Sequence, residues 1–293
     1  MENVDIMPDA SEVVHYDEPG IGLYIRSGKL SAYPGMRATC HWHEDLEFIH
    51  VLEGEMSYSV SGQTVLLTED DCLFVNARQM HFGFGHRGQE CVFTCILVHP
   101  DMLTGSRKLF ERYVRPLITA ENMPYLHVLH GEEGHGEFAR CLSEVRRLKD
   151  EVMPGYELTA MAQLSGLTVF LLQHVPQRET CSYADQKLEI QKRMVAYIAR
   201  HYAEPITLEG IAASANLSKS SCIRLFKTYV DQSPFDFLIA YRLHVACDLL
   251  ARTENSVTEI AALCGFNHVS YFTKVFRRMY GCTPSRYRKN QSA

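Results

Sequence analysis

The chain lacks several features that would place it among membrane, secreted or redox proteins. Its 293 residues contain one tryptophan, no run of eighteen apolar residues and no Cys-x-x-Cys pair. About eighteen to twenty apolar residues are needed to span a bilayer as a helix, so the sequence predicts no transmembrane segment and no membrane partner. The first residues, Met-Glu-Asn-Val-Asp, lack the basic and apolar leader of an exported protein. We therefore expect a cytoplasmic protein.

The ten cysteines do not form a disulfide pattern, because they are scattered through predicted helices and strands. Cys222, Cys247 and Cys264 lie at positions typical of small buried apolar residues, so we expect reduced thiols. Cys40 precedes His41 and, on an alternating strand, its side chain would point away from that of its neighbour.

Charge divides the chain into two unequal parts. From Asp185 to the end there are 15 Lys and Arg against 9 Asp and Glu, whereas the preceding residues carry 14 against 26. The hydrophobic content of 46% and the charged content of 22% are ordinary for globular domains, and the length suffices for two cores. A basic C-terminal part behind an acidic N-terminal part indicates that only the former binds phosphates.

The last hundred residues contain one pattern twice, about fifty residues apart. In each copy a short helix is followed by a turn and a second amphipathic helix. The apolar positions are Leu208, Ile211, Ala212, Ala215, Ile223, Leu225, Phe226 and Tyr229 in the first copy, and Val257, Ile260, Ala261, Cys264, Phe272, Val275, Phe276 and Met279 in the second. The turns are Asn216-Leu217-Ser218 and Gly265-Phe266-Asn267. This is the outline of a helix-turn-helix, whose second helix enters the major groove of DNA.

The ordered series of motifs from about 187 to 289 resembles the AraC/XylS family of bacterial regulators. It includes Leu217-Ser-Lys-Ser-Ser-Cys-Ile-Arg-Leu-Phe-Lys227, Val257-Thr-Glu-Ile-Ala-Ala-Leu-Cys-Gly-Phe266 and Gly281-Cys-Thr-Pro-Ser-Arg-Tyr-Arg288. The resemblance implies an all-α domain with two helix-turn-helix motifs, a double-stranded DNA operator, a homodimer, and activation through contact with RNA polymerase.

Residues of each second helix that lie away from its apolar stripe are free to contact bases. These candidates are Lys219, Ser220, Ile223, Arg224, His268, Ser270, Tyr271 and Lys274. Arg224 is the strongest, because a guanidinium can bond to both O6 and N7 of guanine. Candidate phosphate contacts, which fix the register without reading sequence, are Lys227, Arg277, Arg278 and Arg286.

The N-terminal half resembles the cupin barrels. Gly35, His41, His43, Glu47 and Gly54 follow the spacing of the first cupin motif. Alternation along an extended strand would bring the two histidines and Glu47 to one side. The second motif, from 70 to His81, matches in part. Asp70 and Arg78 replace the usual glycines, Asn76 replaces a proline, and Gly85 replaces an asparagine.

In metal-binding cupins, three imidazoles and one carboxylate hold iron, manganese, nickel or zinc. His41, His43, Glu47 and His81 would supply that set here, or would instead bind an organic effector directly. We rank an effector pocket without metal slightly ahead, so no cofactor is strictly required. His50 and His86 fall outside the pattern and are interpreted as structural.

The sequence thus predicts a multi-domain α+β protein. Residues 1–135 would form a cupin-like antiparallel β-barrel, 136–175 a helical dimerisation region, 176–186 a linker and 187–293 the DNA-binding domain. In the second helix of the dimerisation region Leu158, Met161, Leu164 and Leu171 fall at helical spacing, and Leu164 is expected to be exposed for pairing.

The predicted function is transcription regulation controlled by a small molecule in the barrel, and not catalysis. Two alternatives stay open on the sequence alone. One is a metal-dependent cupin dioxygenase or isomerase fused to a DNA-binding domain. The other is a DNA-architectural protein with a vestigial barrel.

Overall fold

The computed structural model describes Val4, Met7, residues 11–175 and residues 183–291. The chain divides into two compact units, one of which is Glu12–Leu188, while the other contains Glu189–Ala293. Of the predicted linker, residues 176–182 lie outside the described residues. Residues 183–186 belong to a helix that continues to His201. No described helix is long and apolar enough to cross a membrane.

The N-terminal unit contains two antiparallel sheets. Its strands are β1 (Leu23–Lys29), β2 (Leu46–Gly54), β3 (Met56–Val60), β4 (Gln63–Leu67), β5 (Cys72–Val75), β6 (His81–Gly85), β7 (Cys91–Val98) and β8 (Tyr125–Val128). One sheet has the order β1-β7-β2-β5-β8 and the other β4-β3-β6. This is the predicted cupin architecture, although the hydrogen-bonded sheets of the described residues do not close into a continuous barrel.

Strand β2 is buried on both faces because it separates two cores. Ile49 and Val51 face a core shared with β3 and β5, whereas Leu46 and Phe48 face a core shared with the helices that follow the strands. The turn after β3 is a tight hairpin with positive φ at Ser61 (47°) and Gly62 (83°), as two-residue hairpins require.

Two long helices, α3 (His135–Asp150) and α4 (Tyr156–His174), pack against each other, and α3 packs against the five-stranded sheet. The remaining helical segments of this unit are short. They are 3-10 turns at Leu30–Ala32, Pro34–Met36 and Pro100–Leu103, helices α1 (Arg107–Leu109) and α2 (Arg115–Ile118), and a π-helical stretch at Phe110–Val114.

The exposure expected for Leu164 on α4 is wrong. Leu164 is fully buried in the core beside Leu167 and Leu171, whereas Leu158 is 80% exposed and Val169 is 58% exposed. Helix α4 is apolar around most of its circumference, so the spacing of its apolar residues does not reveal which side packs against α3 and the rest of the unit.

The C-terminal unit is helical. Its helices are α5 (Tyr183–His201, which belongs to this unit from Glu189 onward), α6 (Leu208–Ser214), α7 (Lys219–Val230), α8 (Pro234–Arg252), α9 (Val257–Leu263), α10 (Val269–Tyr280) and α11 (Pro284–Gln291). Pairs α6–α7 and α9–α10 are the two predicted helix-turn-helix motifs, and α8 connects them. Within α7 one assignment is corrected: Ile223 is 46% exposed, because Cys222, Phe226 and Tyr229 form the buried stripe instead.

Both helix-turn-helix motifs make the same turn. Asn216 after α6 and Gly265 after α9 adopt left-handed backbone conformations, with φ of 55° and 76°. In the first turn Leu217 N–H bonds to Ala212 O at 2.9 Å, and in the second Phe266 N–H bonds to Ala261 O at 2.9 Å. These six-to-one bonds satisfy the last carbonyls of each first helix and fix the direction in which each second helix leaves.

Candidate effector site and DNA-binding helices

The four predicted cupin residues converge between the two sheets. His41 pairs with His81 through an isolated antiparallel bridge, and Glu47 lies on β2. One ring nitrogen from each of His41, His43 and His81 lies within 4.8 Å of the others. The convergence was predicted, but His41 and His43 precede the regular strand, since β2 begins only at Leu46 after bends at residues 44 and 45.

Backbone carbonyls fix the orientation of all three imidazoles. The Nδ1 atom lies 2.7 Å from Thr39 O in His41, 3.0 Å from Asp45 O in His43 and 2.8 Å from Gln79 O in His81. A carbonyl only accepts, so each Nδ1 carries the proton. In the neutral rings each Nε2 therefore presents a lone pair, which is the form that binds a metal.

The carboxylate of Glu47 is held from one side. Its Oε1 atom accepts a hydrogen bond from the Tyr58 hydroxyl at 2.9 Å and from the Cys95 thiol at 3.4 Å. Its Oε2 atom lies 3.0 Å from His81 Nε2 and 3.9 Å from His43 Nε2. His43 Nε2 is buried without a hydrogen-bond partner, and the buried Glu47 Oε2 and His81 Nε2 make no hydrogen bond besides their mutual 3.0 Å contact.

Burial and charge set the protonation of the site. Burial lowers the pKa of His43 to about 4 and that of His41 well below its usual value, so both rings are neutral at pH 7. Burial alone would raise the pKa of Glu47, but the neighbouring His81 outweighs it and holds the carboxyl ionised. Burial raises the pKa of the Cys40 thiol to about 12, which makes it a poor nucleophile.

Three imidazoles and one carboxylate that converge in a buried site match the donor set of a divalent transition metal. Two observations support this match: the Nδ1–H tautomers are fixed by backbone carbonyls, and His43 Nε2 is buried without a hydrogen-bond partner. A buried polar atom without a partner costs free energy, so a group that satisfies several of them is favoured to bind.

The predicted DNA-contacting side chains lie on the solvent-exposed faces of α7 and α10, except for His268 at the N-cap of α10 and Arg286 on α11. Exposed base-reading candidates are Lys219, Ser220, Ile223, Arg224, His268, Ser270, Tyr271 and Lys274. Lys219 forms an ion pair with Glu209 of α6. The phosphate candidates Lys227, Arg277, Arg278 and Arg286 are also exposed. Each helix thus presents one polar face, opposite a buried stripe.

Two other arginines of this unit are structural, a role that the sequence did not reveal. Arg242 donates to the carbonyl oxygens of Tyr202 and Glu204, at 2.7 and 2.9 Å. Arg288 donates to those of Leu250 and Asn255, at 3.2 and 2.6 Å. They hold loops of the helical unit in place and are therefore unavailable as DNA anchors.

Both halves of the chain match domain families of known proteins. A helix-turn-helix domain model matches residues 211–290 and a cupin domain model matches residues 30–98. The uncharacterized HTH-type transcriptional regulator YdeC of Bacillus subtilis is 30% identical over 252 residues, which cover 86% of each chain. The chain belongs to the AraC family of transcriptional regulators. The HTH-type transcriptional activator RhaS of Salmonella dublin is 27% identical over 251 residues, covering 84% of this chain and 82% of RhaS.

A further relative matches over a shorter length. The HTH-type transcriptional regulator GbdR of Pseudomonas aeruginosa is 33% identical over 119 residues, which cover 41% of this chain and 32% of GbdR. All three relatives are named as transcriptional regulators, which favours a regulator over a cupin enzyme for this AraC-family chain.

The irregular second cupin motif keeps the backbone of its glycines. Asp70 and Arg78, which replace them, have φ of 67° and 65°. Arg78 N–H bonds to His43 O at 2.7 Å and so links the two motifs. Asn76, which replaces the proline, is buried and donates to the carbonyl oxygens of Leu117 and Met123. The departures therefore preserve the loop that positions His81.

Glu12 is a site residue that the sequence did not indicate. Its Oε2 atom lies 3.5 Å from His41 Nε2 and 4.0 Å from His43 Nε2. Its main-chain N–H bonds to Trp42 O at 2.8 Å, which holds the N-terminal segment against the first cupin motif. No motif links residue 12 to residue 41, so only the fold brings this second carboxylate to the candidate effector site.

Proposed function

We propose that His41, His43, Glu47 and His81 form the effector site of this regulator and that they bind a divalent transition metal. The observation that carries this proposal is the convergence of one ring nitrogen from each of His41, His43 and His81 within 4.8 Å, with Glu47 Oε2 lying 3.0 Å from His81 Nε2 and 3.9 Å from His43 Nε2. We therefore favour a metal-binding site, whereas the sequence alone slightly favoured an effector pocket without metal.

Nitrogen and oxygen donors in this ratio suit iron, manganese, nickel or zinc. A bound metal would supply a localised positive charge at which an oxygen-bearing small molecule can be recognised. The chain itself contributes the orientation of the rings, the exclusion of water and the carboxylate held by Tyr58. An effector of this kind regulates if its affinity differs between the active and inactive arrangements of the regulator.

The first experiment measures the metal content of purified full-length protein, of a His43→Ala variant and of a His86→Ala control. His86 lies outside the site, where its Nδ1 bonds to the Ser57 hydroxyl at 3.2 Å. We expect His43→Ala to lose one metal per chain relative to the wild type, because one of four ligands and its fixed lone pair are removed. The control should retain it.

Equal metal content in all three proteins, after incubation with each of the four candidate metals, would contradict the metal assignment. A screen of small metabolites by thermal shift then separates the two effector models. A ligand that stabilises the wild type but not His43→Ala would support a metal-free effector pocket at the same four residues.

We also propose that the regulator reads its operator through the exposed faces of α7 and α10, with Arg224 as a base contact and Arg277 as a phosphate anchor. The identical turns before both helices support this, since they direct equivalent faces outward. By analogy with the activator named RhaS, we propose that DNA-bound protein activates transcription by contacting RNA polymerase. Transcription in vitro from a bound promoter, with and without the protein, tests this.

We propose that a second copy of the chain covers the exposed face of α4. Leu158, Ala162, Gly166 and Val169 are exposed along that face at spacings of three or four residues. A side chain added at Gly166 would meet nothing, so the helix surface there is open. Small residues permit close approach of two helices, and Glu157 is the only Asp, Glu, Lys or Arg in α4, so an apolar homodimer contact fits this face.

A further inference from the structure

A second group of histidines surrounds Asp70, on the other side of the five-stranded sheet from the effector site. We name His50, Asp70, His130 and His135 the Asp70 cluster. His50 and Phe48 are two residues apart on β2, so their side chains lie on the same face of the strand, the one that faces α3. Glu47 lies on the opposite face, toward the other core. Asp70 lies between β4 and β5, His130 follows β8, and His135 is the first residue of α3. Four elements thus meet at one carboxylate.

The distances within the Asp70 cluster are short. His130 Nδ1 lies 2.7 Å from Asp70 Oδ2 and His135 Nε2 lies 3.7 Å from the same oxygen. His50 Nε2 lies 2.9 Å from the other oxygen, Oδ1. One ligand atom from each of Asp70, His130 and His135 lies within 4.8 Å of the others.

We propose that the Asp70 cluster is a second metal site, which binds a zinc-like divalent cation through Asp70, His130 and His135. Zinc bonds of about 2.0 to 2.1 Å in a tetrahedron place ligand atoms roughly 3.4 Å apart. The separations of 2.7 and 3.7 Å from Asp70 Oδ2 bracket that value. Two imidazoles, one carboxylate and a water would complete four-coordination at this partly exposed position.

His50 acts as the orienting partner of the carboxylate. It is buried and donates to Oδ1, which leaves Oδ2 to face His130 and His135. Burial would raise the pKa of Asp70, but the hydrogen bonds from His50 and His130 outweigh it and keep the side chain ionised. Such outer partners fix the ligand and raise its affinity for metal.

Asp71 preorganises the loop that carries His130. Its Oδ1 atom accepts the main-chain N–H of His130 at 2.9 Å, while its Oδ2 atom accepts the N–H and hydroxyl of Thr68 at 2.8 and 2.9 Å. The two loops therefore hold their ligands near each other before any cation binds, which lowers the cost of assembling the site.

Metal binding at the Asp70 cluster requires a change of tautomer in two rings. His130 Nδ1 donates to Asp70 Oδ2 at 2.7 Å, and His135 Nε2 donates to the main-chain oxygen of Asp70 at 2.6 Å. When the cation takes the lone pairs of these two nitrogens, each proton is exchanged through solvent for one on the other nitrogen of the same ring, so both imidazoles stay neutral. The bound cation would link the five-stranded sheet to the N-terminus of α3, the helix against which α4 packs.

The test is zinc stoichiometry in the full-length protein, stripped with a chelator and dialysed against Zn²⁺. Wild type, His130→Ala, His43→Ala and the double variant are compared, with His99→Ala as a control. His99 also lies near a carboxylate, at 3.7 Å from Asp101, but outside both sites. We expect His130→Ala to bind one zinc fewer than its parent in both backgrounds, and His99→Ala to match the wild type.

The stoichiometry separates this site from the effector site, because a failure of the latter affects only the His43→Ala comparison. If His130→Ala binds as much zinc per chain as its parent, the proposal is overturned, and the Asp70 cluster is held together by hydrogen bonds without a metal. A second measurement concerns His50: we expect His50→Leu to weaken zinc binding by roughly 10- to 100-fold and His50→Gln, which keeps a donor, to restore it. Equal affinity in both variants would refute the orienting role.

Discussion

Among single residues, we predict that Arg224 is the side chain on which DNA specificity depends most. It is exposed on α7, beside Ile223 and away from the buried stripe of Cys222 and Phe226. We expect Arg224→Ala to lower affinity for the operator by roughly 1 to 3 kcal/mol, about 5- to 150-fold, because a bidentate guanine contact is lost. Titration of a fragment selected by the wild type from random DNA measures this.

Arg252→Ala is the matched control, since Arg252 is equally exposed but ends α8 instead of lying on α7 or α10. It should leave specific affinity within about twofold of wild type, and both variants should retain the wild-type circular dichroism. An Arg224→Ala protein that still prefers the selected fragment over random DNA would exclude Arg224 as a base reader.

At the scale of elements, the turn of the second helix-turn-helix depends on Gly265. A Cβ at this position would lie 2.8 Å from Tyr202 O and 2.9 Å from Ala203 O, and φ is already +76°. We expect Gly265→Ala to reduce the free energy of unfolding by on the order of 1 to 3 kcal/mol, in urea titrations of the full chain.

Gly281→Ala isolates the steric part of that cost. Gly281 has a similar φ of +71°, yet a Cβ there would meet nothing within 4 Å. The free energy of unfolding should therefore fall only by the cost of a left-handed backbone at a residue with a Cβ, about 1 kcal/mol. If the two variants are equally stable, the contact with the Tyr202 and Ala203 carbonyls does not constrain the turn.

The elements also show how far sequence reasoning extends. The two helix-turn-helix motifs form where helical spacing predicts them, and His41, His43 and Glu47 come together because they are close in sequence. His81 joins them as the resemblance to the cupins implies. The exposure of Leu164 was wrong, since a helix that is apolar all round gives no directional signal. Glu12 and the Asp70 cluster were missed, because their members come together only through the pairing of strands distant in sequence.

For the full-length protein, we predict that the oligomeric state depends on the exposed face of α4. We expect Leu158→Glu combined with Val169→Glu to shift the mass in solution from dimer to monomer, because two carboxylates would be buried in an apolar contact. Sedimentation of the full-length protein measures this. Cooperative binding to paired half-sites should be lost with the dimer.

Val152→Glu serves as the control, because Val152 is 77% exposed but lies outside α4. It should sediment as the wild type does. If the Leu158 and Val169 double variant remains dimeric while Val152→Glu becomes monomeric, the interface lies at the loop before α4 and not on the helix.

The three backbone contacts of the effector-site histidines have a consequence for the order of folding. Each imidazole bonds to a carbonyl only two residues away: His41 to Thr39, His43 to Asp45 and His81 to Gln79. Local contacts of this kind form early, because they close very short loops. The rings can therefore be aligned while the chain is still collapsing, and the docking of β6 beside the His41 segment only has to bring together side chains that are already aimed.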